Sequence, residues 1–159
     1  MRYFHRSGFT LSILAAGCIV GAAAADPDWP QWHGPDRTNL SKETGLIKQW
    51  GPEGPSRLWS VSGLGAGYGT VSMKGNRIFV QGTQNQESVV FCLDRSNGKT
   101  IWSKALGPSL DHNRGRGPRA TPTLEADRVY ALTENGDLAC LKAADGSVIW
   151  SRNILADFK

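Results

Sequence analysis

An internal repeat constrains the fold of this 159-residue chain more than any other feature of its sequence. Residues 70–104 align with residues 121–152, at an offset of 51 residues at the start and of 48 residues further on. The first copy therefore holds three extra residues, which fit most simply within residues 83–88. The matched pairs are Thr70 with Thr121, Arg77 with Arg128, Phe79 with Tyr130, Cys92 with Cys140, Gly98 with Gly146 and Trp102 with Trp150. A Leu-Trp-Ser motif around Trp59, 43 residues before Trp102, resembles the Ile-Trp-Ser of the two copies. A period of this length with one Trp per copy indicates a repeat architecture.

Within each copy apolar and polar residues alternate with the period of two that is typical of β-strands. Asn-Gly and Asp-Gly pairs, which favour hairpin turns, separate the strands. Four short strands in about 40–50 residues are typical of a propeller blade. We therefore predict an all-β chain, a β-propeller of four-stranded antiparallel blades. The predicted strands are residues 70–73, 77–81, 89–93 and 100–104 in the first copy, and residues 121–124, 128–133, 138–141 and 148–152 in the second.

The number of blades is smaller than a closed propeller needs. Propellers close with roughly 4–8 blades, whereas this chain has room for about two blades plus a closing strand around Trp59. We therefore expect an incomplete propeller, the amino-terminal part of a longer one. The expected divisions are a signal peptide (1–25), an extended segment (26–56), a closing strand with a Gly-rich stretch (57–69), a blade (70–107), an Arg/Gly-rich loop (108–120), a second blade (121–155) and the start of a further blade (156–159).

The amino terminus has the pattern of a secretory signal. Arg2 and Arg6 precede an uncharged apolar run at residues 8–20, and small residues 21–25 suit a signal peptidase that cuts before Asp26. Lipid attachment at Cys18 is the competing interpretation, although the residues around Cys18 fit a lipobox imperfectly. We expect export to the periplasm or the exterior, with no transmembrane segment after cleavage.

The charge and the cysteines exclude other classes of protein. The formal charge is +4, and cleavage of residues 1–25 would lower it to +2, much less basic than nucleic-acid-binding domains usually are. An immunoglobulin-like sandwich would place Trp102 between paired Cys92 and Cys140. The repeat argues against that pairing, because equivalent positions of adjacent blades should lie beyond the roughly 7 Å Cα limit for a disulfide. We expect two free, buried thiols.

The end of each copy has the residues of an inter-blade contact. Gly98 and Gly146 permit turns, and Asp94 can accept hydrogen bonds from the backbone of the first turn. The Trp four residues after each Gly can lie against a neighbouring blade. Lys142 takes the place of Asp94 in the second copy, so its turn must be held differently. The expected docking residues are Trp59, Trp102, Trp150, Gly98, Gly146 and Asp94.

These segments resemble the Ala-x-Asp-x-x-Thr-Gly-x-x-x-Trp docking motif of the pyrroloquinoline-quinone-like propeller family. Cys92 and Cys140 stand in the Ala place, and Asn97 and Asp145 stand in the Thr place. Residues 28–37 and 117–122 also resemble stretches of exported bacterial members. The resemblance extends over residues 26–159 and implies the propeller fold, but it leaves the function open because folds do not dictate chemistry.

Three other segments contain residues that are often found in binding sites. Arg114, Arg116 and Arg119 lie in the predicted inter-blade loop and could bind a carboxylate or phosphate of a partner or ligand. The alternatives are a solvated loop, or a salt bridge from Arg119 that ties blades together. His33 has no second His or Cys at ligand spacing, so we predict no metal site. The Gly-rich residues 63–69 lack the spacing of a phosphate-binding loop.

Two functions remain open. The first is a non-catalytic scaffold of the cell envelope that binds proteins or ligands, similar to the outer-membrane assembly propellers of this family and without a cofactor. We favour it because the chain has no recognisable nucleophile–base pair, paired carboxylates or adjacent cysteines. The second is part of a dehydrogenase that oxidises an alcohol or sugar with pyrroloquinoline quinone and calcium.

Overall fold

A computed structural model describes residues 28–158. The predicted signal peptide and Cys18 lie outside the described residues. The described residues form two four-stranded antiparallel sheets, a small hairpin between them and one short helix.

The first sheet is a blade built from residues 72–108. Its strands are β1 (Ser72–Lys74), β2 (Arg77–Gln84), β3 (Glu87–Asp94) and β4 (Thr100–Pro108), and they neighbour one another in chain order. A two-residue turn joins β2 to β3, with Asn85 and Gln86 at positive φ angles of 51° and 63°, as hairpin turns of this length require. The extra residues of the first copy therefore lengthen this hairpin, within the predicted segment.

The second sheet repeats the arrangement. After β5 (Asp111–His112) and β6 (Gly115–Arg116), which pair as a hairpin, come β7 (Thr123–Glu125), β8 (Arg128–Leu132), β9 (Asp137–Lys142) and β10 (Val148–Asn153). Their order in the sheet is again the chain order. The predicted all-β fold of four-stranded antiparallel blades is confirmed. Strand β4 continues to Pro108, four residues beyond its predicted end, because β3 is long enough to pair with it there.

The core lies between the two blades. Phe79, Val90 and Cys92 of the first blade pack against Leu124, Val129 and Leu141 of the second. Cys92 and Cys140 are fully buried and free, in agreement with the prediction. Burial raises the pKa of the Cys92 thiol to about 11.

The opposite face of the first blade is covered by the segment that precedes it. Ile78, Val89, Phe91 and Leu93 pack there against the partly buried side chains of Trp59 and Leu64. Residues 57–62 form no strand within the described part of the chain. A closing strand would pair with the edge of a sheet, and neither described sheet includes this segment. Its closing role stays a prediction.

The two ends of the described chain run along the blades. Trp29 pairs with Met73 on β1 through hydrogen bonds of 2.9 and 2.8 Å, and the Pro30 carbonyl accepts a hydrogen bond from the Leu124 amide at 2.8 Å. The amino-terminal segment thus ties β1 to β7. After β10, helix α1 (Ile154–Asp157) lies across the predicted boundary between the second blade and the start of a further one.

Candidate functional site

The blades are joined by tryptophans that lie on glycine turns. The Trp59 indole Nε1 donates to the Arg95 carbonyl at 3.0 Å, and the ring lies on Gly98. Trp102 repeats this contact one blade further on, donating to the Ala143 carbonyl at 3.1 Å. Gly98 and Gly146 both have φ of 73°, and a Cβ on either would stand 2.6 Å from the ring above it. Only glycine therefore fits under these rings.

Trp150 occupies the same position on the second blade. Its ring centroid lies 6.1 Å from that of Tyr130, much as the Trp102 centroid lies 5.9 Å from that of Phe79. Among the described residues no glycine turn packs on Trp150, whose exposed fraction is 38%. The contact of the Trp with an aromatic residue of its own blade thus repeats on both blades, but of these two tryptophans only Trp102 is described as packing on a glycine turn.

A β-bulge before each of these tryptophans was not predicted from the sequence. The pairing of β4 with β3 skips Ile101, and the pairing of β10 with β9 skips Ile149. A bulge redirects the following side chain relative to the sheet. The repeated Ile-Trp-Ser order was the only available signal, and it did not reveal the change of register.

The two docking turns are held by different acids. Asp94 Oδ1 accepts from the Ser96 hydroxyl and from the Ser96 amide at 2.8 Å, and these bonds lower the pKa of Asp94. In the second blade Asp145 accepts from the Ser147 amide at 2.8 Å, and its hydrogen bonds with Ser147 lower its pKa as well. Asp145 stands in the Asn97 place and repeats the contact of Asn97 Oδ1 with the Lys99 amide at 2.9 Å, whereas Lys142 stands in the Asp94 place and the bonds of Asp94 to Ser96 have no described counterpart in the second turn.

The arginine-rich connection forms the β5–β6 hairpin rather than an open loop. Arg119 donates to the carbonyls of Gly115 at 3.0 Å and Gly117 at 3.3 Å, and its guanidinium lies 5.5 Å from the centre of the Tyr68 ring. Arg119 therefore holds the base of the hairpin in place. These contacts lie within the connection and the adjacent Gly-rich segment, in place of the inter-blade salt bridge considered for Arg119.

The second blade anchors the other side of the hairpin. Glu134 accepts a hydrogen bond from the Leu110 amide at 2.9 Å and another from the Ser88 hydroxyl at 2.6 Å. Asn135 donates to the Pro108 carbonyl at 2.6 Å. Sequence reasoning missed Glu134 and Tyr68, because each acts on a residue at least 20 positions away and no local motif marks it.

Arg114 lies in the turn of this anchored hairpin, and Arg116 lies in β6 opposite Asp111 of β5. The Arg114 amide donates to Nδ1 of His112 at 3.0 Å, which closes the turn. The side chains of both arginines are exposed. Two cations on a fixed hairpin can bind carboxylates or phosphates through paired, charge-assisted hydrogen bonds.

The remaining candidate segments have structural surroundings. A side chain at Gly65 or Gly69 would collide with backbone atoms of Thr83 or Ala120, and one at Gly67 would be in tight contact with the Gln81 carbonyl oxygen, at 3.1 Å. His33 has a positive φ of 70° and contacts the Trp32 ring, with centroids 4.0 Å apart. Residues 28–158 contain no group of three or more His, Cys, Asp or Glu side chains that could hold a metal ion. No helix in the same residues is long and apolar enough to cross a membrane.

Comparisons with known proteins identify relatives of this arrangement. A family model described as outer membrane protein assembly factor BamB matches residues 43–156. The crystal structure of BamB from Moraxella catarrhalis is similar with a TM-score of 0.50 and 25% identity, over 60% of this chain and 28% of that one. Quinohemoprotein alcohol dehydrogenase from Comamonas testosteroni shares the fold, with a TM-score of 0.61 and 23% identity over 86% of this chain and 21% of that one. The chain thus spans less than a third of either protein. Comparison with curated protein sequences found no match.

Proposed function

Because the chain belongs to the family of the outer membrane protein assembly factor BamB, we propose that it is a non-catalytic propeller scaffold that binds a protein partner in the cell envelope. The family match confirms the resemblance inferred from the docking motif. The observation that carries the proposal is the anchored β5–β6 hairpin, which presents Arg114 and Arg116 at the surface.

The hairpin suits binding because its base is already ordered. Hydrogen bonds to Glu134 and Asn135 and the contact of Arg119 with Tyr68 fix the loop before any partner arrives. A pre-ordered loop loses less conformational entropy on binding than a mobile one. The partner surface would carry carboxylates that pair with the guanidinium groups of Arg114 and Arg116.

Export is part of this proposal. The apolar run and small residues at 1–25 supply the signal that an envelope protein needs. The intact mass of the purified protein tests this point. A chain that begins at Asp26 would support cleavage and export. A diacylglyceryl group on Cys18 would show instead that the exported chain is anchored to a membrane.

Site-specific crosslinking tests the partner. A photoreactive phenylalanine analogue is placed at Asn113, an exposed residue in the turn of the hairpin, so that Arg114 and Arg116 both stay in the full chain. The matched control carries it at Lys99, an exposed residue between β3 and β4 at the opposite end of the blade. We expect one defined envelope protein to crosslink to position 113 and not to position 99. No product, or the same product from both positions, would contradict the proposal.

A second measurement addresses catalysis. The purified chain is titrated with pyrroloquinoline quinone and calcium, and dye-linked oxidation of alcohols and sugars is followed. The scaffold proposal expects neither saturable quinone binding nor oxidation. Saturable binding together with oxidation would replace the scaffold proposal by the dehydrogenase alternative.

A further inference from the structure

A second basic surface lies at the other end of the blades from the β5–β6 hairpin. The β1–β2 and β7–β8 turns form this end, because antiparallel strands in chain order place alternate turns at opposite ends of a sheet. A cavity of about 170 Å³ opens there between the two blades. We call it the inter-blade slot; it is lined by Lys74, Arg77, Phe79, Leu124, Ala126, Arg128 and Ala143.

The floor of the slot is apolar. Phe79 and Leu124 form it from the two blades, and both belong to the shared core. A cavity of about 150 Å³ lined by apolar side chains is large enough to hold benzene. The slot therefore has room for one apolar side chain up to the size of an aromatic ring.

The rim of the slot is cationic. Lys74 crosses from the first blade to donate to the Ala126 carbonyl at 2.6 Å, and Arg77 crosses in the same direction to donate to the Ala143 carbonyl. Arg128 shares a hydrogen bond with Tyr130. An ammonium group has three donors and a guanidinium group has five, so each of these cations retains donors for a ligand.

The carboxylates near the rim are mostly engaged elsewhere. Asp28 accepts from the Gly75 amide at 2.8 Å, Asp94 accepts from Ser96 and Asn76, and Glu125 accepts from the Tyr130 hydroxyl at 3.1 Å. Asp127 lies beside Arg128 in sequence and interacts with its charge. The lining of the slot itself contains cations and no acid.

We propose that the inter-blade slot binds an acidic segment of a protein partner, with an apolar side chain of that segment on Phe79 and Leu124 and a flanking carboxylate on Lys74 and Arg128. Charge complementarity selects this occupant, because an apolar floor under a rim of three cations matches an apolar residue next to an acid. This site is separate from the β5–β6 hairpin, so it provides a second contact on the opposite end of the blades.

Two blocked peptides of six residues serve as probes. One has a central Leu-Phe pair flanked by Glu on both sides, and its twin has Gln in place of every Glu. Binding to the purified full chain is measured by fluorescence anisotropy at low and at physiological salt. We expect the Glu peptide to bind at least about tenfold more tightly than its twin, since one charge-assisted hydrogen bond is worth about that factor. Added salt should weaken binding of the Glu peptide.

Substitutions locate the binding. Arg128→Gln and Lys74→Gln should each weaken binding of the Glu peptide about tenfold, whereas Lys99→Gln, outside the slot, should leave it unchanged. Asp127→Asn should strengthen it, because a repelling charge is removed. Arg128 is exposed, so Arg128→Gln tests the slot even if Lys74→Gln fails to fold.

The proposal is overturned if the chain binds neither peptide, if the Gln twin binds equally well, or if Arg128→Gln and Lys99→Gln have equal effects. If Arg116→Ala abolishes binding of the Glu peptide and Arg128→Gln does not, the acidic partner binds at the hairpin. This result would overturn the slot proposal but support the proposed function. Binding at the slot alone, with no crosslink from position 113, would support the slot and contradict the hairpin.

Discussion

Substitution of Gly146 by Ala should separate the two blades where Trp102 docks. The added Cβ would stand 2.6 Å from Cε3 of the Trp102 ring, closer than carbon atoms approach in folded proteins. The ring would have to move away from the turn. It would then lose its hydrogen bond to the Ala143 carbonyl and part of its buried contact with Phe79.

The expected cost follows from these losses. Ala at a φ of 73° costs about 1 kcal/mol of backbone strain. The lost hydrogen bond adds about 1 kcal/mol, and the lost burial of the indole ring adds about 1–2 kcal/mol. We therefore expect Gly146→Ala to lower the free energy of unfolding by about 3–4 kcal/mol.

Gly75→Ala is the matched control. Gly75 also has a positive φ, of 54°, but a Cβ there meets no atom within 4 Å. Its substitution should cost only the strain, about 1 kcal/mol. Gly98→Ala should behave like Gly146→Ala, because the Trp59 ring lies at the same 2.6 Å.

Urea unfolding followed by tryptophan fluorescence and circular dichroism measures the three variants. The contact between ring and turn should make Gly146→Ala about 2–3 kcal/mol more costly than Gly75→Ala. A difference below about 0.5 kcal/mol, which is the typical effect of a surface substitution, would refute the docking role of Trp102.

Three further predictions concern the hairpin, the first turn and the thiols. Arg119→Ala removes the hydrogen bonds to the carbonyls of the connection, so amide hydrogen exchange in residues 111–117 should accelerate while the two sheets stay protected; unchanged exchange would show that Arg119 does not hold the hairpin. The pKa of Asp94 is lowered in the folded chain by Ser96, so its contribution to stability is present above the unfolded pKa of about 3.9 and is lost as the pH falls through the lower folded value. Ser96→Ala should therefore lower the urea midpoint at pH 6 and have less effect at pH 2, and an equal effect at both pH values would contradict the linkage. Cys92 and Cys140 are buried, and the pKa of Cys92 is about 11, so neither thiol should react with a thiol reagent at pH 8 until urea unfolds the chain; rapid reaction of the native protein would contradict their burial.

Local features of the chain were predictable, because each rests on a few consecutive residues. Gly98 and Gly146 follow residues that favour turns, and the strands between the turns have the lengths that a blade requires. Strand β3 also shows the limit of the alternation rule. Its residues 88–93 are all buried, because the second blade covers one face of the first sheet and residues 59 and 64 cover the other.

The site depends on contacts between distant parts of the chain, and these could not be read from the sequence. The sequence predicted that Arg119 lies in the connection, but its contact with Tyr68 follows only from how the Gly-rich segment crosses the blade. Glu134 anchors Leu110 across 24 residues. The inter-blade slot likewise joins Lys74 and Arg128 from two blades, and neither turn alone indicates a site.

The claim that the β5–β6 hairpin binds an envelope protein is tested most directly by the affinity of the crosslinked partner for the purified chain. The measurement compares the unaltered chain with the Arg114→Ala/Arg116→Ala double variant and with Lys99→Ala. Loss of two charge-assisted contacts should weaken binding of the double variant about a hundredfold, while Lys99→Ala binds as the unaltered chain does. Equal affinity of all three proteins for the partner would contradict the account.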